Sequence, residues 1–353
     1  MLLVYLSFAL IAFAVLLYVL MDGWDLGVGI LFLIAPRDAE RDEMMESIAP
    51  FWDGNETWLV FGGVTLFAMF PTVYALALQT LYMPVMIMLL ALVFRGISFE
   101  FRGNATGSKT LWNWSFGLGS IAAGFSQGMM LGKLVQGVPL QHAPYGQTFT
   151  ITLFPLLCGV AMVAGYALLG SAWLIYKTVG TTQTFGREVS RVAWLLTMAT
   201  FALACFWTPL SVPQVARRWF TWPGSLLFIG LAVALVAAAV AFWRSIWNSR
   251  SDARPLQLAI AMTVLAFVGF AATIWPYAIP YRITIVEGAA DLTTIKFSLV
   301  GIGIVLPVVL TYQLYAYRVF GGKVHKNGLS YGTPVAKAHA RRTNERDSAL
   351  HLS

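Results

Sequence analysis

A chain of 353 residues that is 58% hydrophobic and only 11% charged, with a formal net charge of +7, has too few polar side chains to cover a water-facing surface. Soluble domains carry roughly 25% charged residues, so the composition excludes a soluble globular protein and makes lipid the solvent. The basic excess lies in loops and a tail, where membrane topology and anionic lipid account for it without a nucleic-acid partner.

Taken in chain order, the apolar stretches predict nine membrane spans, each near the ~20 residues a bilayer requires: 2–35, 48–70, 73–99, 110–134, 149–176, 189–212, 223–247, 255–279 and 292–318. The first carries "DGWDLG", whose glycines predict a bend or tilt, and places Asp22 and Asp25 three apart on one face. Asp22 lies 14 residues before Pro36, which puts it about 21 Å from the inner end, near mid-membrane. The following "PRDAERDEMMES" reads as a short, strongly acidic loop.

The second span opens with "FWDGNETWLV", which sets Asp53 and Glu56 on one helical face with Trp52 and Trp58 beside them. Asp53 is six residues beyond Ser47, about 9 Å from the inner end. The third span closes on "FRGISFEFR", with Arg95, Glu100 and Arg102. Ionisable groups at membrane depth cost several kcal/mol, so each is a functional candidate. The acidic loop, Asp53 and Asp22 form a staircase of carboxylates suited to proton uptake. Structural alternatives stand beside that reading. Asp53 could cap a helix, Asp22 and Asp25 could satisfy backbone freed by the glycines, and Glu100 could form an interfacial ion pair between the two arginines.

The later spans hold few such groups. Cys158 and Cys205 lie in apolar runs and read as small buried hydrophobes. His142, His325, His339 and His351 all fall outside the spans, which leaves the chain poorly equipped to ligate haem or copper; no metal site is expected. The first apolar run has no basic n-region, so no cleavable signal peptide is expected. The longer outer connections fall at 135–148, 211–222 and 280–291. Eighteen of the 23 Lys and Arg fall on the side of the C-terminal tail. The positive-inside rule then predicts an outer N-terminus and a cytoplasmic C-terminus. Residues 1–320 read as one polytopic membrane domain, and 321–353 as a basic tail expected to be disordered.

"MDGWDLGVGILF", "SIAPFWDGNETWLVFGGVTLFAMFPTVYA" and "LVFRGISFEFR", then "WPYAIPYRITIVEGAA" and "LVGIGIVLPVVLTYQLYAYRVFGGKV", resemble subunit II of the cytochrome bd-type quinol oxidases. The likeness runs in register from near residue 5 to about 324. It implies an all-α membrane protein of the bacterial cytoplasmic membrane, with nine transmembrane helices as two four-helix bundles plus one peripheral helix. It also implies a heterodimer with a subunit I that holds two b-type haems and one d-type haem and oxidises quinol, while oxygen is reduced to water. The resemblance places Asp53, with Trp52 beside it, on a proton path, and Trp58 near the hydrophobic route of oxygen. Glu56, where a relative has an uncharged Gln, could extend that path or pair locally. A small third subunit, and a lipid or quinone in a groove, stay open as partners. The alternative function is an ion-coupled secondary transporter, in which Asp22, Asp25, Asp53 and Glu56 would bind the ion.

Overall fold

A computed structural model describes residues 1–103, 105, 107–137, 151–248 and 251–324. The expectations for His142, the three histidines of the tail and most of the 321–353 segment lie outside these residues. The chain runs as α1 (Leu2–Phe32), α2 (Asp38–Ile48), α3 (Trp52–Met69), α4 (Pro71–Arg102), α5 (Lys109–Gln136), α6 (Leu153–Lys177), α7 (Gly180–Ser211), α8 (Pro213–Phe220), α9 (Gly224–Trp247) and α10 (Ala253–Ile274). A short hairpin of β1 (Tyr277–Ile279) and β2 (Ile283–Thr284) and then α11 (Leu292–Val319) complete it.

Seven helices, namely α1, α4, α6, α7, α9, α10 and α11, are long and apolar enough to cross a membrane. The shortest, α10, has 22 residues, about 33 Å at 1.5 Å per residue against a hydrocarbon core of ~30 Å. Each of the nine expected spans has its main part on one helix, although 255–279 runs past the end of α10 into β1. The two that fail the apolar test are α3, which opens with Asp53, Asn55 and Glu56, and α5, which is rich in Gly, Ser and Gln.

Three expectations are refined or corrected. "DGWDLG" does not interrupt α1, which continues as helix through Phe32; the bend or tilt expected there is a separate matter of curvature. Its glycines serve close packing instead: Gly27 lies against the backbone of Tyr166 and Gly170 on α6, where a Cβ would collide with the Tyr166 carbonyl oxygen. The acidic "loop" is a helix, α2, which buries Met44, Met45 and Ile48 together with Glu40 and Glu43, while Asp38 remains exposed. The 211–222 connection likewise contains a helix, α8.

Helix α1 is the axis of the fold and packs on α3, α5 and α6, while α4 pairs with α5, α6 with α7 and α9 with α10. One hydrophobic core surrounds the C-terminal half of α1 and includes a Trp24–Trp173 stack at 5.0 Å. A second, at the other end, closes Val4, Met69, Phe70 and Val73 over Ile279 and Ile285 of the hairpin region. Helix α11 is attached differently from the rest. It touches α3 and α1 and leaves Phe297, Val300, Ile304, Val308 and Leu314 exposed.

Candidate functional site

Helix α4 carries Arg95 into the centre of the molecule, where its side chain is only 2% exposed. The reason is charge. Arg95 lies 2.7 Å from the Asp22 carboxylate of α1, which has no exposure at all, and 3.3 Å from the Glu56 carboxylate of α3, which is 28% exposed. Asp25, one turn beyond Asp22, is also fully buried and accepts a 2.7 Å hydrogen bond from the Asn55 amide. Two carboxylates therefore meet one guanidinium, and a third, Asp25, lies one turn away on the Asn55 amide. Taking such groups out of water is tolerated only where each finds a partner.

Asn55 links this cluster to α11. Its amide also donates to the Met21 carbonyl at 3.3 Å. Its side-chain oxygen accepts from the Tyr317 hydroxyl at 2.8 Å and from the Gln313 amide at 3.3 Å. Gln313 donates to the Gly54 carbonyl at 3.1 Å and accepts from the Trp58 indole at 2.7 Å. Phe51 stacks on Tyr317 with ring centres 4.3 Å apart. Beside these residues a cleft of about 150 Å³ opens between the start of α3 and α11; Asp53, Asn55, Gln313 and Tyr317 are among its walls. Asp53 itself is exposed. Below it, α2 presents more carboxylates: Arg37 and Arg41 hold Glu40 and Asp38 below the usual range, whereas burial, reinforced by Asp42 and Glu43, raises Glu46.

The sequence family described as cytochrome bd terminal oxidase subunit II matches residues 3–320. The chain belongs to this family. The cytochrome bd-I ubiquinol oxidase subunit 2 of Escherichia coli (strain K12) is 28% identical over 350 residues, covering 88% of this chain and 92% of the relative. The cytochrome bd ubiquinol oxidase subunit 2 of Bacillus subtilis (strain 168) is 27% identical over 337 residues, covering 92% and 98%. The fold is similar to that of a chain in the bd oxidase of Geobacillus thermodenitrificans, with a TM-score of 0.72 at 19% identity over 91% of this chain and 99% of that one. Membership in subunit II of a terminal oxidase sets aside the secondary-transporter alternative.

Within this subunit II fold the expected site residues divide. Asp22, Glu56 and Arg95 come together, and Asn55 ties Asp25 to them. Asp22 and Asp25 thus answer a guanidinium and an amide rather than backbone freed by glycines. Asp53 does not cap a helix: α3 starts at Trp52, and no side chain caps it. Glu100 is exposed and makes no ion pair among the described residues, because Arg95 turns inward and Arg102 pairs with Asp42 at 2.5 Å and donates to Asn113 at 2.6 Å. Trp52 stacks on Phe99 at 5.2 Å. Trp58 is 1% exposed and bonded to Gln313.

Sequence reasoning missed Asn55, Gln313 and Tyr317. The available signal was an amide inside an apolar span, "LTYQLYAYRV", which a search restricted to ionisable groups passes over.

Proposed function

We propose that this chain supplies proton access to the oxidase complex, with Asp53 as the mouth and the Arg95 cluster as the buried store. Asp53 stands one turn before Glu56 on α3, so a proton taken up at the exposed carboxyl passes along one helix face to Glu56. From Glu56 it reaches Asp22 and Asp25, while the fixed guanidinium of Arg95 stabilises whichever carboxyl is ionised. The cleft beside Asp53 has room for several waters to bring protons from the α2 side. The observation that supports this most is the ratio of three carboxyls to one guanidinium in a buried cluster reached from an exposed Asp53.

In this reading α3 and α5 join the seven apolar helices to give nine passes, as two four-helix bundles plus one peripheral helix, with the N-terminus outside and the C-terminus cytoplasmic. Haems and quinol oxidation belong to subunit I, which this chain stabilises; Trp58 borders the oxygen route. The names of the relatives from E. coli and B. subtilis support ubiquinol as the electron donor.

The test is Asp53→Asn, with Glu56→Gln as its companion, in the purified two-subunit oxidase. Loss of a proton-transfer carboxyl should slow oxygen consumption and proton uptake by roughly 10²-fold while the visible haem spectrum is unchanged. Undiminished turnover and uptake in a haem-loaded Asp53→Asn complex would end the proposal.

A further inference from the structure

At the opposite end of the helices from Asp53, α8 connects α7 to α9 and carries the sequence "PQVARRWF". Its apolar side buries Val215, and Trp219 donates its indole N–H to the Thr273 hydroxyl of α10 at 3.0 Å. Its basic side faces a pocket of about 320 Å³ lined by Gln214, Arg217, Arg218, Thr273, Tyr277 and Tyr281. None of the lining groups is a carboxylate; the Thr273 hydroxyl already donates to the Gly269 carbonyl at 2.7 Å, so the charged donors that face the pocket are the two guanidiniums.

Arg217 and Arg218 have no acidic partner among the described residues. The connections at this end contain two carboxylates, and both are engaged locally. Glu287 accepts from the Thr284 backbone N–H at 2.9 Å, and Asp291 caps α11 by accepting from the N–H groups of Thr293 and Thr294 at 2.8 and 3.0 Å. The α5–α6 connection, 138–150, contains neither Asp nor Glu.

The pocket is also built rather than incidental. Arg218 is held by donating to the Trp275 carbonyl. The Tyr281 hydroxyl donates to the Val135 carbonyl at 3.2 Å, and Tyr281 adopts φ 63°, a left-handed conformation that a bulky residue keeps only when its surroundings enforce it. Burial pushes the Tyr281 phenol up to about 12, so it stays protonated and keeps its bond to the Val135 carbonyl.

The surroundings suit a bilayer surface. Phe220 and Trp222 flank α8, each 72% exposed, and Trp275 is 47% exposed, as aromatic belts at a membrane interface require. From there the membrane-length helix α9 runs away with Leu226, Leu227, Ile229 and Val233 exposed along it. A basic pocket with an apolar wall below it matches a phospholipid: phosphate above, acyl chains beneath.

We propose that the α8–hairpin pocket binds the headgroup phosphate of an anionic phospholipid, with Arg217 and Arg218 as its charged donors and the acyl chains lying along α9. The site rests on the reading that α9 and α10 cross the bilayer, and is independent of the proton path.

The experiment uses the intact oxidase in detergent, with native mass spectrometry to count retained phosphatidylglycerol for the natural protein, Arg217→Gln and Arg282→Gln. Arg217 is exposed and makes no side-chain bond among the described residues, and Arg282 is an exposed control on the hairpin. Arg217→Gln should weaken retention of one phosphatidylglycerol by about tenfold or more, Arg282→Gln should retain it, and oxygen consumption should be unaltered in both. Inorganic phosphate, titrated against the lipid, should fail to displace it; displacement at matching concentration would assign the pocket to a free anion and overturn the lipid assignment. Equal retention in Arg217→Gln would also overturn it. So would release of subunit I with lipid retention unchanged, which would make the pocket a seat for an acidic segment of the partner.

Discussion

The Arg95 guanidinium lies 2.7 Å from the carboxylate of Asp22, a residue 73 positions earlier, and neither side chain reaches solvent. This pair joins α4 to α1 across the centre of the fold. Removing one member leaves the other charged and unpaired in a low-dielectric interior, a cost of roughly 3–5 kcal/mol. Arg95→Gln should therefore lower the thermal midpoint and yield of the purified complex. Adding Asp22→Asn should restore part of the loss, because the two effects are coupled. Full additivity in that double-mutant cycle would show that the pair is not a unit.

Trp58→Phe retains an aromatic ring against Phe13 and Phe61 but removes the indole N–H that serves Gln313 at 2.7 Å. Gln313 then keeps a buried acceptor without its donor, at a cost of roughly 1–3 kcal/mol. The expected result is a less stable complex in which α11 is cut faster by protease. Unchanged cleavage of α11 would mean that this bond does not hold the helix.

Gly27→Ala should be far more damaging than an exposed Gly→Ala exchange such as Gly63→Ala, because an added methyl at residue 27 meets the α6 backbone while residue 63 faces open space. Small residues permit this approach between membrane helices. Comparing the amounts of assembled complex for the two variants measures the difference directly.

Acid should loosen the segment that follows α11. Lys323 bonds the Asp252 carboxylate at 2.5 Å, and Arg187 bonds its other oxygen at 2.6 Å. Burial alone would raise this carboxyl, but Lys323, Gln183 and Arg187 outweigh it and hold it below the usual range. A carboxyl depressed in the folded state contributes stability above its unfolded value of about 3.9, and the contribution is lost as pH falls through the folded value. Proteolysis after α11 should thus accelerate below about pH 4 in the natural chain. Asp252→Asn should be cut quickly at every pH, without that dependence.

Hydropathy marks seven of the long helices strongly, because a lipid solvent demands an apolar face all round, whereas α3 and α5 carry polar residues that weaken the signal. The short helices α2 and α8 were invisible to the same criterion, since each is at least half polar and too short to span. The site was legible in part. Asp22, Asp25, Asp53, Glu56 and Arg95 stood out by their rarity at membrane depth. Their partners did not, because Arg95 chooses Asp22 and Glu56 through the packing of α4 on its neighbours, and no spacing along the chain encodes that choice. It also explains why Glu100, adjacent to two arginines in sequence, is paired with neither in space.

The attachment of α11 has a consequence for biosynthesis. Asn55 is made early, and the Gln313 amide that serves it is 258 residues further along. Until the ribosome has released α11, Asn55 and Trp58 lack the partners that complete their bonding, so a nascent or truncated chain presents unsatisfied polar groups toward lipid. Helix α11 thereby completes, late in synthesis, the hydrogen bonding of two residues on α3.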